Sequence, residues 1–178
     1  LRDIVVANLA NRGFQEIHRF YLKENSMHRA TDTIEVTATP EQTWRVLSDL
    51  DRLPEWYVPA QTIKVLTAGP VREGWQFILT VKTLSGLVLN ALGTVKEFDP
   101  AGKTITWQGR AMGIAGDSRW QIEPTDDGTA RINHTFEGQG WLMFLSQKLG
   151  RNRMTVHKRL TNLKRLIERE AGQVGYRA

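Results

Sequence analysis

The chain has 178 residues, 40% of them hydrophobic and 24% charged, with a net charge of +5. That length supports one domain with a sizeable core and is short for two. It contains no cysteine, which excludes disulfides, thiolate metal ligands and a cysteine nucleophile, and no apolar run reaches the ~18–20 residues of a membrane helix. A cytoplasmic location is the expectation from this composition. The charge is uneven: residues 28–138 hold 11 Lys/Arg against 14 Asp/Glu, and residues 139–178 hold 9 against 2. The basicity therefore belongs to the C-terminal segment.

The opening stretch, LRDIVVANLANRGF, interrupts its apolar residues with Asp3 and Asn8 and lacks the layout of a secretory signal. Residues 1–30 read as an N-terminal extension or an appended artificial segment, residues 31–170 as the domain, and 171–178 as a tail. From Thr31, TDTIEVTAT alternates polar Thr33, Glu35 and Thr37 with Ile34, Val36 and Ala38, the period-2 pattern of a half-buried strand. Thr39 then sits as a natural N-cap, with Pro40 at the first helical position and Gln42 three residues on, a capping box. Trp44, Val46, Leu47 and Leu50 give the following short helix one apolar side. Pro54 starts a second short helical turn carrying Trp56 and Tyr57, which ends near Pro59.

Six further strands follow, separated by turns. QTIKVLT is the first. WQFILTVKT places Trp75, Phe77, Leu79 and Val81 on one face. LVLNALGTVKEF does the same with Leu87, Leu89, Ala91, Gly93 and Val95. After the DPAGK turn, TITWQGR aligns Ile105 with Trp107, and DSRWQIEP aligns Trp120 with Ile122. ARINHTFEG shares a face among Ile132, His134 and Phe136. The period then changes: Leu142, Leu145, Leu149, Val156, Leu160, Leu163 and Ile167 recur at three- and four-residue steps. Such a helix from Trp141 to Glu170 is roughly 45 Å long, with Gly150 expected to mark a kink and Gly172 the C-terminal stop.

Strand, two short helices, six antiparallel strands and a long terminal helix, together with I-x-V-x-A-T-P-E-Q-T-W-x-V-L-S-D-L-D-R-L-P-E-W over residues 34–56, resemble the START-like (SRPBCC) superfamily. Within it the chain is similar to the polyketide cyclase/dehydrase and lipid-transport group. The resemblance covers residues 31–170. It implies an α+β helix-grip fold, in which a seven-stranded curved antiparallel sheet wraps around the long helix and encloses an apolar cavity. It also implies a small hydrophobic ligand such as a lipid, quinone, isoprenoid or polyketide, and no cofactor or metal. On strand parity and this resemblance, the ligand-contacting set is Trp56, Tyr57, Trp75, Phe77, Leu89, Ala91, Trp107, Trp120, His134, Phe136, Leu145, Leu149 and Val156. The same aromatics could equally fill a solid core.

Catalytic signals are sparse. The chain has no G-x-S-x-G elbow, P-loop or H-E-x-x-H, and its four histidines are scattered. His134 is the one titratable group with inward parity. It fits either an acid/base or carbonyl-polarising role or that of a satisfied core histidine. Glu97, Arg110 and Asp117 lie near strand ends, within reach of a cavity mouth or of ordinary surface salt links. The resemblance implies a serine and an arginine on the inward face of the fourth strand in aromatase/cyclases; the positions here are Ala91, Gly93 and Val95, which carry no such groups. Tyr57 matches an aromatic at the cavity entrance of that group, and Leu53–Pro59 would form the gate. A cyclase using His134 is the alternative enzyme reading. A further alternative is a docking module, in which Lys148, Arg151, Arg153, Lys158, Arg159, Lys164, Arg165 and Arg169 face an acidic protein or a membrane surface. Nucleic acid ranks last.

Overall fold

The computed structural model describes residues 27–82, 86, 88–112, 114–139 and 151–175, with side chains of the terminal helix described over 155–172. The elements are β1 (His28–Val36), α1 (Pro40–Ser48), a 3-10 turn (Leu50–Arg52), α2 (Leu53–Trp56), β2 (Ala60–Val65), β3 (Gln76–Lys82), β4 (Val88–Asp99), β5 (Thr104–Ala111), β6 (Ile114–Pro124), β7 (Ala130–Gln139) and α3 (Arg151–Gly175). The seven strands form one sheet in the order β1-β7-β6-β5-β4-β3-β2, with every pairing antiparallel. Helix α3 lies against β1 and β7 and meets α1 and α2 at the side.

Local chemistry sets these boundaries. The capping box closes α1 as the sequence predicts: Gln42 N–H donates to Thr39 Oγ1 at 3.2 Å, and Thr39 N–H donates to Gln42 Oε1 at 2.9 Å. β1 starts at His28, ahead of the expected Thr31, because pairing with β7 extends to Gly138. It ends at Val36 because Thr37 turns away, its N–H and hydroxyl both donating to Glu168 Oε1 on α3. Lys164 on α3 donates to the Glu35 carbonyl at 2.7 Å, so two adjacent turns of α3 grip the end of β1. The helix continues through Gly172 to Gly175, which corrects the expected stop at Gly172. Leu142, Leu145, Leu149 and Gly150 lie outside the described residues.

The apolar stripe of α3 faces inward: Val156, Leu160, Leu163 and Ile167 are buried, joined by Leu166. Of these, Leu160, Leu163, Leu166 and Ile167 pack with Val36, Leu47, Leu50, Leu53, Ile105, Ile122 and Ile132 into one core. The β4–β5 pairing carries a bulge between Val95 and Glu97, so inward parity passes from Val95 to Phe98, which packs on Trp44. Registers also align Gly93, Gly109, Gly116 and Gly138 in one row across β4, β5, β6 and β7, with Phe77 of β3 opposite Gly93. Aromatic rings cover both ends of this row. A Cβ on Gly93 would run into the Phe77 ring, and one on Gly116 or Gly138 would press on Phe136. Over Gly109, a Cβ would meet among the described residues only the Gly116 carbonyl oxygen, at 3.9 Å.

Candidate functional site

Alternation along β5, β6 and β7 brings Trp107, Ser118, Trp120 and His134 to the inner face, and α2 lays Trp56 and Tyr57 against them. Trp120 stacks on Trp107 at 5.9 Å and meets the edge of Trp56 at 5.1 Å, while Tyr57 meets Trp107 at 5.7 Å. The His134 ring stacks on Trp120 at 3.6 Å and is fully buried. This follows from the register, which pairs His134 directly with Trp120.

Ser118, also buried, links the two rings. Its Oγ accepts from Trp120 Nε1–H at 3.0 Å and lies 2.9 Å from His134 Nε2. With one lone pair taken by Trp120, we assign the Ser118 hydroxyl as donor to His134 Nε2, which places the imidazole proton on Nδ1. The other tautomer would strand the serine hydrogen and the Nδ1 lone pair together. Among the described residues His134 Nδ1 is buried without a hydrogen-bond partner, as is Trp56 Nε1 in the same cluster. Burial, aided by the positive charge of Arg159, holds the His134 pKa well below its usual 6.5. The ring is neutral at physiological pH and presents a donor.

Arg159 comes from α3. Position 159 lies three residues after Val156 and four before Leu163, on the same side as the apolar stripe, and its side chain is only 8% exposed. The guanidinium carbon lies 4.0 Å from the centre of the Tyr57 ring and 5.6 Å from that of Phe136. Nε donates to the Val58 carbonyl at 2.9 Å, which ties the segment after α2 to α3. Among the described residues no carboxylate pairs with it. Burial draws its pKa down from the ordinary guanidinium value, and the Tyr57 phenol opposes that shift.

The structure thus gathers Trp56, Tyr57, Trp107, Trp120 and His134 into one contact group, with Phe136 reached through Arg159. Trp75 and Phe77 form a separate pair at 5.6 Å, anchored where Trp75 Nε1–H donates to the Gly69 carbonyl. Leu89 is buried and Ala91 half-buried on β4, and Val156 faces inward from α3. Leu145 and Leu149 lie outside the described residues. Leu53 and Trp56 of the expected gate are fully buried, and Arg159 pins Val58.

Arg159 is the residue that sequence reasoning misplaced. Grouped with the basic residues of a docking face, it points inward instead; the available signal was its i+3/i−4 spacing to Val156 and Leu163. Lys164 is likewise engaged, bonding Glu168 Oε1 and the Glu35 carbonyl. Glu97, Arg110 and Asp117 do not reach the inner face. They stand on the outer one, where Glu97 pairs with Arg119 at 2.6 Å, Asp117 accepts from Gln108, and Arg110 donates to Gln108. A groove of about 280 Å³ on that face is lined by Arg29, Lys96, Glu97, Thr106, Asp117, Arg119, Thr135 and Glu137. Among the described residues no cluster of three or more His, Asp or Glu is placed to hold a metal ion, and no helix is long and apolar enough to cross a membrane.

The family model described as polyketide cyclase / dehydrase and lipid transport matches residues 27–168. No curated protein matches the sequence. Among solved structures, the Zhui aromatase/cyclase from Streptomyces sp. R1128 superposes with a TM-score of 0.69 at 16% identity, covering 81% of this chain and 95% of that one. A START superfamily protein from Mycobacterium smegmatis gives 0.62 at 18% identity, covering 83% and 99%. Norcoclaurine synthase from Thalictrum gives 0.64 at 14% identity, covering 82% and 97%. At these identities the likeness is one of fold, and it agrees with the helix-grip order of strand, two short helices, six strands and long helix.

Proposed function

The chain belongs to the polyketide cyclase/dehydrase and lipid transport family, and from that membership we propose that it binds a small hydrophobic ligand between the inner face of the sheet and α3. The observation that carries this reading is His134 Nδ1, assigned as a donor and buried beside Trp120 and its neighbours Trp56 and Trp107 with no hydrogen-bond partner among the described residues. A packed core has little reason to retain an unpaired donor, because leaving one costs on the order of 1–3 kcal/mol. A ligand oxygen delivered to Nδ1 would satisfy it, and the aromatic faces would supply affinity through apolar burial at ~25 cal/mol per Å².

Binding, rather than turnover, is the role these residues support. A proton-transfer catalyst needs an acid and a base placed on either side of a reacting carbon. The inward positions of β4 are Ala91, Gly93 and Val95, and Phe77 covers Gly93. The inner polar groups Ser118, His134 and Arg159 stand on β6, β7 and α3, and they suit holding an oxygen in place.

Native mass spectrometry of the purified protein tests for a co-purifying small molecule, and titration with an apolar fluorophore tests for the space. The expected result is saturable binding that quenches tryptophan emission. His134→Ala should preserve most of the affinity for an apolar probe and weaken a probe bearing a carbonyl. Absence of both a bound molecule and saturable quenching would end the proposal.

A further inference from the structure

Three features on the inner face share one chemical bias. Among the described residues His134 Nδ1–H and Trp56 Nε1–H are buried donors without hydrogen-bond partners, and Arg159 is a buried cation with no carboxylate beside it. The stretch 140–150, GWLMFLSQKLG, contains no Asp or Glu either, and the side-chain carboxylates outside the described residues are Asp3, Glu16 and Glu24 of the N-terminal stretch. An arginine removed from water ordinarily brings its counter-charge with it, because a buried unpaired charge costs several kcal/mol. The helix retains this one on its apolar stripe, where a leucine would pack without that cost. With Nε committed to the Val58 carbonyl and the Tyr57 side chain in hydrogen-bonding reach of the guanidinium, the end-on Nη groups beside Tyr57 are where a carboxylate would be met.

The apolar part of such a ligand also has a place to lie. The row Gly93, Gly109, Gly116 and Gly138 runs across four strands beside the row holding Trp107, Ser118 and Phe136. Phe77 and Phe136 cover its two ends, and Gly109 between them is approached by no side chain among the described residues. Phe136 connects the halves, since its ring lies over Gly116 and Gly138 and 5.6 Å from the Arg159 guanidinium carbon.

We propose that the ligand is an anionic amphiphile, a carboxylate whose head is held by Arg159 beside Tyr57 and whose apolar body crosses the inner sheet over Gly109. This rests on the hydrophobic-ligand reading above and specifies its substrate class. The donor set then has a purpose: His134 Nδ1–H and the guanidinium both point to oxygen acceptors, and neither would welcome a ligand amine.

The test compares dodecanoate with 1-dodecanol, two probes of equal chain length, by isothermal titration calorimetry on the full chain at pH 8. The wild-type protein should bind dodecanoate about tenfold or more tightly than 1-dodecanol, as a charge-assisted bidentate contact implies. Arg159→Met should erase that preference by weakening dodecanoate while leaving 1-dodecanol within about threefold, and Arg159→Lys should restore part of it. Gly109→Leu should weaken both probes, because its side chain would occupy the open position. Equal wild-type affinity for the two probes would overturn the anion assignment and leave hydrophobic binding standing. Binding of neither would remove both readings. If Arg159→Met fails to fold, the wild-type comparison still decides.

Discussion

Strands β5, β6 and β7 present two faces built from alternate residues of the same chain. Outward, Glu97 meets Arg119 and Thr106, Glu137 meets Arg29, and Asp117 accepts from Gln108. Inward, one residue away along each strand, stand Trp107, Ser118, Trp120 and His134, followed across the gap by Arg159. The outer face carries many charges and pairs them in water, where each pair is worth little. The inner face carries few polar groups and leaves several of them unpaired in a dry environment, where each is costly. Charge density therefore does not mark the proposed site. Incomplete pairing under burial is what the proposal rests on, although Thr43 Oγ1 on α1 is also buried without a partner among the described residues.

That contrast is sharpened first by Trp120→Ala. The side chain is fully buried, touches Trp56, Trp107 and His134, and donates to Ser118. Its removal should cost ~3–5 kcal/mol in chemical denaturation. A loss below ~1 kcal/mol, the size expected of an outer-face change, would mean that the inner face is not the stabilising one.

Gly93→Ala should come next. The added methyl would collide with the Phe77 ring, which cannot swing freely because Trp75 packs against it. Overpacking of this kind costs ~1–3 kcal/mol, and the thermal midpoint should fall accordingly. Gly109→Ala, in the same row with no side chain within 4 Å of its Cβ among the described residues, should be neutral or stabilising, since alanine orders a strand better than glycine.

The His134 prediction is one of pH. The folded ring has a pKa held well below 6.5 by burial first and by Arg159 second, and Asp32, opposite it in register, is engaged by His157 at 2.8 Å. Above about pH 6.5 both folded and unfolded chains hold a neutral ring, and His134 contributes no slope. Below it, the unfolded chain takes up a proton that the folded chain refuses, so stability falls as pH falls, by up to ~1.4 kcal/mol per unit. Denaturation midpoints between pH 6.5 and 5 should show this decline, and His134→Gln should flatten it. An unchanged slope in the variant would show that the ring titrates in the folded protein as it does in water.

Much of this architecture was legible in the residues. Period-2 runs located all seven strands, and Thr39, Pro40 and Gln42 announced the cap of α1, because short-range sterics and hydrogen bonding decide both. Parity put His134 inside, since alternation is a local property. Arg159 was harder: a charge in a basic run is ordinarily solvated, and only its spacing to Val156 and Leu163 contradicted that. The pairing of Ser118 with His134 and the row of four glycines depend on register between strands, which no single strand encodes. Trp75 and Phe77 share a parity and a core with the other aromatics yet stack only on each other among the described ring pairs, because parity gives a face and not a neighbourhood.

The smallest effect is expected where the charges are most numerous. Glu97 and Arg119 approach to 2.6 Å on the outer face, with side chains 39% and 49% exposed. Water already solvates both, and ordering two long side chains offsets part of the attraction, so a double-mutant cycle through Glu97→Ala and Arg119→Ala should yield a coupling of ~0.2–1 kcal/mol. Raising salt to about 1 M should shrink it further, because the screening length then falls to about 3 Å. Thr106 also donates to Glu97 Oε2, at 2.8 Å, so the Glu97 single variant loses a second contact that the cycle subtracts. Neither substitution should alter dodecanoate binding, since the sheet itself separates this outer pair from the inner face that carries Trp107 and Trp120. A coupling above ~2 kcal/mol that persisted in high salt would place the outer groove in a dry environment and erase the distinction between the two faces.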